Sequence, residues 1–116
     1  MLYACSANVR ASLWASGVLT TTPDSWVARL APTGSMEPTY TPEDWLIFRQ
    51  VPFGHVRPGD VISFHCPEDR IPVAHRVVRR LPDGRLVTKG DGNAHEDPWT
   101  VGPAEYRGML IAVYLE

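Results

Sequence analysis

Eleven prolines in a chain of 116 residues set the strongest limit on its fold. Proline fixes φ and offers no backbone N–H. Long helices are therefore disfavoured, and short strands joined by turns are favoured. The length suits one small domain with a single core and leaves no room for two. A hydrophobic fraction of 44% and a charged fraction of 21% are those of an ordinary globular domain. The net charge of −2 gives no electrostatic case for nucleic acid or an anionic membrane as the main partner. Cys5 and Cys66 fit one disulfide and two separate thiols equally well, so the redox compartment stays open.

Along the chain, residues 1–25 read as a poorly defined N-terminal arm and residues 26–116 as the folded domain. The longest apolar stretch near the N-terminus, Ala11 to Leu19, is interrupted by Ser12 and Ser16. A membrane span needs about 20 apolar residues, so none is read here. Only Arg10 precedes the stretch, which makes a poor secretory signal. From Trp26 the pattern changes. Trp26–Leu30, Trp45–Phe48, Val61–Phe64, Val73–Val78, Leu86–Thr88 and Met109–Leu115 read as short strands. Pro58-Gly59-Asp60 and Pro82-Asp83-Gly84 are turn signals between them. The expectation is a mainly β, single small domain of short, mostly antiparallel strands.

Three segments carry residues capable of chemistry. In Gly34-Ser35-Met36-Glu37-Pro38 the glycine lets backbone approach a substrate, and a tight turn can expose a serine hydroxyl beside backbone N–H groups. On local composition alone, an ordinary turn serine is the commoner outcome. In Ile71-Pro72-Val73-Ala74-His75-Arg76-Val77-Val78 a histidine sits inside a β-branched run. Strand alternation puts His75 on one face with Val73 and Val77. Histidine accepts a proton near neutral pH, although a half-buried structural histidine reads the same way. In Thr88-Lys89-Gly90-Asp91-Gly92-Asn93-Ala94-His95-Glu96-Asp97 three carboxylates follow a strand, and any one of them could accept the Nδ1–H of His75. A plain turn rich in Asx residues is the other reading. Asp91, Asn93 and Glu96 do not match a calcium-loop spacing. His55, His65, Cys66, His75 and His95 form no tight ligand pair, and neighbours such as His65 and Cys66 point to opposite faces of a strand. Neither a metal nor another cofactor is expected.

Taken in order, four strings resemble the signal peptidase I family of S26 serine peptidases. They are Thr33-Gly34-Ser35-Met36-Glu37-Pro38-Thr39, Arg57-Pro58-Gly59-Asp60-Val61-Ile62, the His75 segment and Thr88-Lys89-Gly90-Asp91-Gly92-Asn93. The resemblance runs from about Trp26 to Val113 and is narrowest to the archaeal and endoplasmic-reticulum branch. In that branch the base is a histidine in an Ile-Pro-x-x-His-Arg-Val string. The usual bacterial members, and the self-cleaving repressors of the SOS response, carry a lysine where this chain has His75. A lysine base must have its pKa lowered by burial, whereas a histidine gains from a carboxylate partner.

The resemblance implies a peptidase-like β fold and a catalytic triad of Ser35, His75 and Asp97, with Asp91 as support. Asp97 falls where the branch places its catalytic aspartate. The Ser35 N–H and the Thr33 hydroxyl would form the oxyanion hole, with threonine where the family usually has serine. The implied activity is a serine endopeptidase that cleaves signal peptides from preproteins through an acyl-enzyme. The implied substrate binds as an extended strand with small residues one and three positions before the scissile bond. The implied location is at a membrane, with the catalytic domain extracytoplasmic. Two features depart from the family: no transmembrane helix precedes Ser35, and Pro52-Phe53-Gly54 is at most a short apolar tip. A soluble processing peptidase acting on one protein partner, and a β binding module without catalysis, are the alternatives.

Overall fold

The computed structural model describes residues 2–4 and 24–114. Eight strands follow in chain order: β1 (Leu2–Ala4), β2 (Ser25–Leu30), β3 (Trp45–Arg49), β4 (Val61–His65), β5 (Pro72–Arg80), β6 (Leu86–Lys89), β7 (Thr100–Val101) and β8 (Tyr106–Tyr114). The only helical piece among the described residues is one 3₁₀ turn, Phe53–His55. The strands form a single sheet in the order β1-β2-β3-β8-β4-β5-β6-β7. Every neighbouring pair is antiparallel. The mainly β, antiparallel fold expected from the sequence is the one observed. β1 also approaches β5, so the sheet curls back on itself.

The prolines act as their chemistry requires. Among the described residues Pro72 alone lies within a strand, and it is the first residue of β5. There a missing donor is tolerated. The β5–β6 hairpin turns at Pro82-Asp83-Gly84, where Gly84 takes φ +90° and the Asp83 carboxylate accepts the Arg85 N–H at 3.0 Å. Residues with side chains at φ above zero are disfavoured, so glycine suits that corner.

Alternation along the strands divides the core. Leu46 and Phe48 of β3 join Ala28, Leu30, Met36, Val61 and Ala74 in one cluster. Trp45 and Ile47, on the opposite face of β3, pack with Val27. A third cluster gathers Ile62, Phe64, Val73, Val77, Leu86, Val101 and Tyr106. Burying each of the larger of these side chains contributes about 1.5–3 kcal/mol. β3 is thus buried on both faces, which explains its unbroken apolar run.

Of the expected N-terminal arm, residues 1–25, Leu2–Ala4 pair with Leu30–Ala28 and Ser25 opens β2. Residues 5–23, with Cys5, lie outside the described residues. Phe53 is not an exposed tip. Its ring meets Tyr106 edge-on at 5.3 Å, and the Arg80 guanidinium covers it at 4.9 Å.

Candidate active site

Ser35 lies in the turn between β2 and β3. Gly34 takes φ +76°, a conformation costly for any other residue. The Glu37 N–H closes the turn on the Gly34 carbonyl at 3.2 Å. Met36 anchors it, with its side chain 1% exposed in the core. The Thr33 hydroxyl donates to Ser35 Oγ at 3.3 Å, and the Ser35 N–H donates to Thr33 Oγ1 at 3.4 Å.

His75 is carried by β5, on the face with Val73 and Val77, as alternation required. The Phe64 ring stands edge-on to its imidazole at 6.3 Å. His75 Nδ1 lies 2.7 Å from Asp97 Oδ2, and the two side chains are only 7% and 6% exposed. Asp97 belongs to the β6–β7 loop, whose path its own N–H fixes by donating to the Thr88 carbonyl at 2.8 Å. The Thr88 hydroxyl, fully buried on β6, donates to the same Asp97 oxygen at 2.6 Å. A carboxylate only accepts, so Nδ1 carries a proton, and in the neutral imidazole Nε2 presents the lone pair. Charge-assisted bonds of this length in a buried setting hold the imidazole in one tautomer and one orientation.

The acidic loop closes on the serine turn through two glycines. A Cβ on Gly90 would overlap the Ser35 carbonyl oxygen and stand 3.1 Å from His75 Nε2. Hence the imidazole face that bears the lone pair and the serine turn border the same small space. A Cβ on Gly92 would overlap the Gly34 carbonyl and stand 2.8 Å from the Glu37 carbonyl. The Gly92 N–H donates to the Ser35 carbonyl at 2.8 Å.

Asp91 faces a different partner. Arg76 grips it with two hydrogen bonds, Nε to Oδ1 at 2.9 Å and Nη2 to Oδ2 at 2.7 Å. Arg76 also donates to the Gly59 carbonyl at 2.7 Å. The Arg76 hydrogen bonds hold the Asp91 carboxyl below the usual carboxylate range.

The structure therefore brings His75 to Asp97, pairs Asp91 with Arg76, and sets Thr33 against Ser35. Ser35 and His75 meet across Gly90 without a hydrogen bond between their side chains. Three contributors were not singled out from sequence: Thr88, Arg76 and the close-packed Gly90. Thr88 lies opposite Val77 on β5, a register that no local pattern announces. Arg76 follows His75 directly, and its place on the other face of β5 was the available signal.

Residues 8–90 match the model of the family described as signal peptidase, peptidase S26. The chain belongs to this family. Within it, the chain is similar to the signal peptidase complex catalytic subunit of Chaetomium globosum, with 34% identity over 84 residues, covering 69% of this chain and 48% of that protein. The Neurospora crassa subunit of the same name is 32% identical over the same coverage of both chains. The Eremothecium gossypii subunit is 44% identical over 70 residues, 56% of this chain and 41% of that protein. The chain spans about half the length of the curated relatives it matches. Among the described residues of this signal peptidase family member, no helix is long and apolar enough to cross a membrane.

Proposed function

We propose that the chain is a serine endopeptidase that removes signal peptides from preproteins through an acyl-enzyme, with Ser35 as nucleophile, His75 as general base and Asp97 as its orienting carboxylate. The observation that carries this reading is the buried 2.7 Å bond between His75 Nδ1 and Asp97, which leaves Nε2 facing the serine turn. His75 Nε2 takes the Ser35 hydroxyl proton as Oγ bonds to the scissile carbonyl carbon. The same proton passes to the departing amine as the C–N bond breaks. Water, deprotonated by His75, then releases the acyl group and restores Ser35. Rotation of Ser35 Oγ from Thr33 towards Nε2 starts the cycle, and catalytic hydrogen bonds commonly tighten only when substrate binds.

The Ser35 N–H and the Thr33 hydroxyl would hold the oxyanion, the latter by turning from Ser35 Oγ to the carbonyl oxygen. One such donor lowers the barrier by about 3 kcal/mol. Asp91, already held by Arg76, supports the loop rather than the base. The relatives' shared name, catalytic subunit of a signal peptidase complex, supports partner subunits; the family resemblance adds a place at a membrane, facing away from the cytoplasm. The preprotein would bind as an extended strand.

The test is cleavage of a preprotein peptide by the wild type and by Ser35→Ala, His75→Ala, Asp97→Asn and Asp91→Asn. Ser35→Ala and His75→Ala should abolish turnover. Full activity in Ser35→Ala would sink the proposal. Greater damage from Asp91→Asn than from Asp97→Asn would overturn the choice of carboxylate.

A further inference from the structure

A second cluster of ionisable side chains lies at the end of β4. His65, Arg70, Arg85, Glu105 and Arg107 line an open cavity of about 450 Å³, together with Cys66 and its neighbours. Three guanidiniums therefore face one carboxylate, in a chain whose net charge is −2. None of these residues belongs to the Ser35–His75–Asp97 arrangement.

Two of the cations are fixed in place by the protein. Arg85 donates to the Thr100 hydroxyl and carbonyl, both at 2.7 Å, and to Glu105 at 2.8 Å. Arg107 donates through Nη1 to the Ala104 and Tyr106 carbonyls, each at 3.1 Å. Its Nη2 lies 3.1 Å from His65 Nδ1. A guanidinium cannot accept, so Nδ1 accepts, and the neutral imidazole keeps its proton on Nε2 as a further donor. Burial, then Arg107 and Arg70, lower the His65 pKa and favour this neutral form.

Arg70 is the odd member. It holds φ +63°, and it is the only residue besides glycine at positive φ among the described ones. Its N–H donates to the Cys66 carbonyl at 2.8 Å, which locks the turn. Its guanidinium has no hydrogen-bond partner among the described residues. A left-handed corner costs an arginine about 1–2 kcal/mol relative to glycine, and no hydrogen bond or ion pair of this side chain among the described residues offsets it.

We propose that this cavity is a phosphate-binding site, taking a phosphate group either free or on a small ester or lipid headgroup. Among the residues that line the cavity, Glu105 is the one carboxylate beside three guanidiniums. A phosphate carrying close to two negative charges would neutralise the remainder, whereas one carboxylate would leave half of it. Guanidiniums pair with phosphate oxygens through directed, charge-assisted bonds, and His65 Nε2–H adds a neutral donor. The volume admits a phosphate together with a substituent. The site stands independently of the peptidase reading.

The test is titration of the isotopically labelled chain with inorganic phosphate, against chloride at equal ionic strength, followed by NMR of the His65 ring and the arginine side chains. Saturable shifts confined to His65, Arg70, Arg85 and Arg107 are expected. The His65 pKa should rise as phosphate screens Arg107 and Arg70, the cations that lower it; Arg85 and Glu105 line the same cavity. Arg70→Gly suits a positive φ and so keeps the fold, yet it should weaken binding about tenfold, the loss of one charge-assisted contact. Arg107→Gln should weaken it similarly. Co-sedimentation with phosphatidylcholine vesicles, with and without phosphatidic acid, separates the sources. Retention on the acidic vesicles that phosphate competes away assigns a lipid headgroup, and phosphate binding without retention assigns a free phosphate or small ester. Shifts no larger than those with chloride, or equal phosphate binding by Arg70→Gly and Arg107→Gln, would overturn the site.

Discussion

At the scale of single residues, Asp97 Oδ2 accepts from both His75 and Thr88. Thr88 is therefore a positioning residue under the proposed mechanism: it fixes the carboxylate that fixes the base. Thr88→Val keeps the shape and removes the hydroxyl. We expect kcat to fall roughly five- to thirtyfold with KM little changed, the equivalent of about 1–2 kcal/mol for a bond to a charged group. Thr88→Ser should restore most of the rate, and steady-state kinetics on a preprotein peptide would show it. A different outcome is expected at Asp91. Its carboxyl pKa is depressed by Arg76, so it contributes stability above the ordinary carboxylate range, and that contribution is lost as pH falls through the folded value. The pair is partly exposed, with 34% of the Arg76 side chain in contact with solvent, which limits its worth to about 1 kcal/mol. Urea unfolding should show Asp91→Asn less stable than wild type near neutral pH, and the gap should close in acid. His75 and the two aspartates were legible as motif residues. Which aspartate meets the histidine was legible only through family resemblance, because it depends on how a loop folds over β6.

Elements decide how the site is enclosed. The β6–β7 loop can lie on the serine turn because Gly90 and Gly92 lack a Cβ where backbone oxygens press against them. Gly90→Ala forces that loop outward or moves the Ser35 turn. A loss of about 1–3 kcal/mol in stability is expected and, under the proposed function, a fall in cleavage activity greater than the change in folded fraction explains. Thermal melts and peptide turnover measured together would separate the two effects. The core strands β2 to β6 were readable from apolar runs between proline and glycine turns. β8 was read as beginning at Met109, but it starts at Tyr106. Its first residues, Tyr106-Arg107-Gly108, carry no apolar run. Gly108 is needed there because a Cβ would overlap the Trp26 ring and crowd the Arg49 carbonyl, a constraint set by neighbours remote in sequence. β7 has only two residues, too few for any periodicity.

For the whole molecule the governing fact is the place of β8. It is the last described strand in the chain, yet it lies in the middle of the sheet, bonded to β3 on one side and β4 on the other. The sheet is then two antiparallel groups, β1–β3 and β4–β7, joined through one strand. A chain ending before Tyr106 should lose cooperative unfolding and the dispersed NMR spectrum of a packed core, even though it retains seven of the eight strands. A sharp thermal transition in that truncated chain would disprove this. Sequence order concealed the arrangement, since neighbours along the chain usually pair and β8 does not follow that habit. The consequence concerns protein synthesis. Ser35 extends from the first group of strands, and His75 and Asp97 from the second. During synthesis Ser35 is made about seventy residues before β8 begins, and His75 about thirty, so the serine turn and the base strand precede the strand that joins them. Under the proposed function, a centre built in this order is expected to stay silent during its own synthesis and to become active only once β8 has entered the sheet.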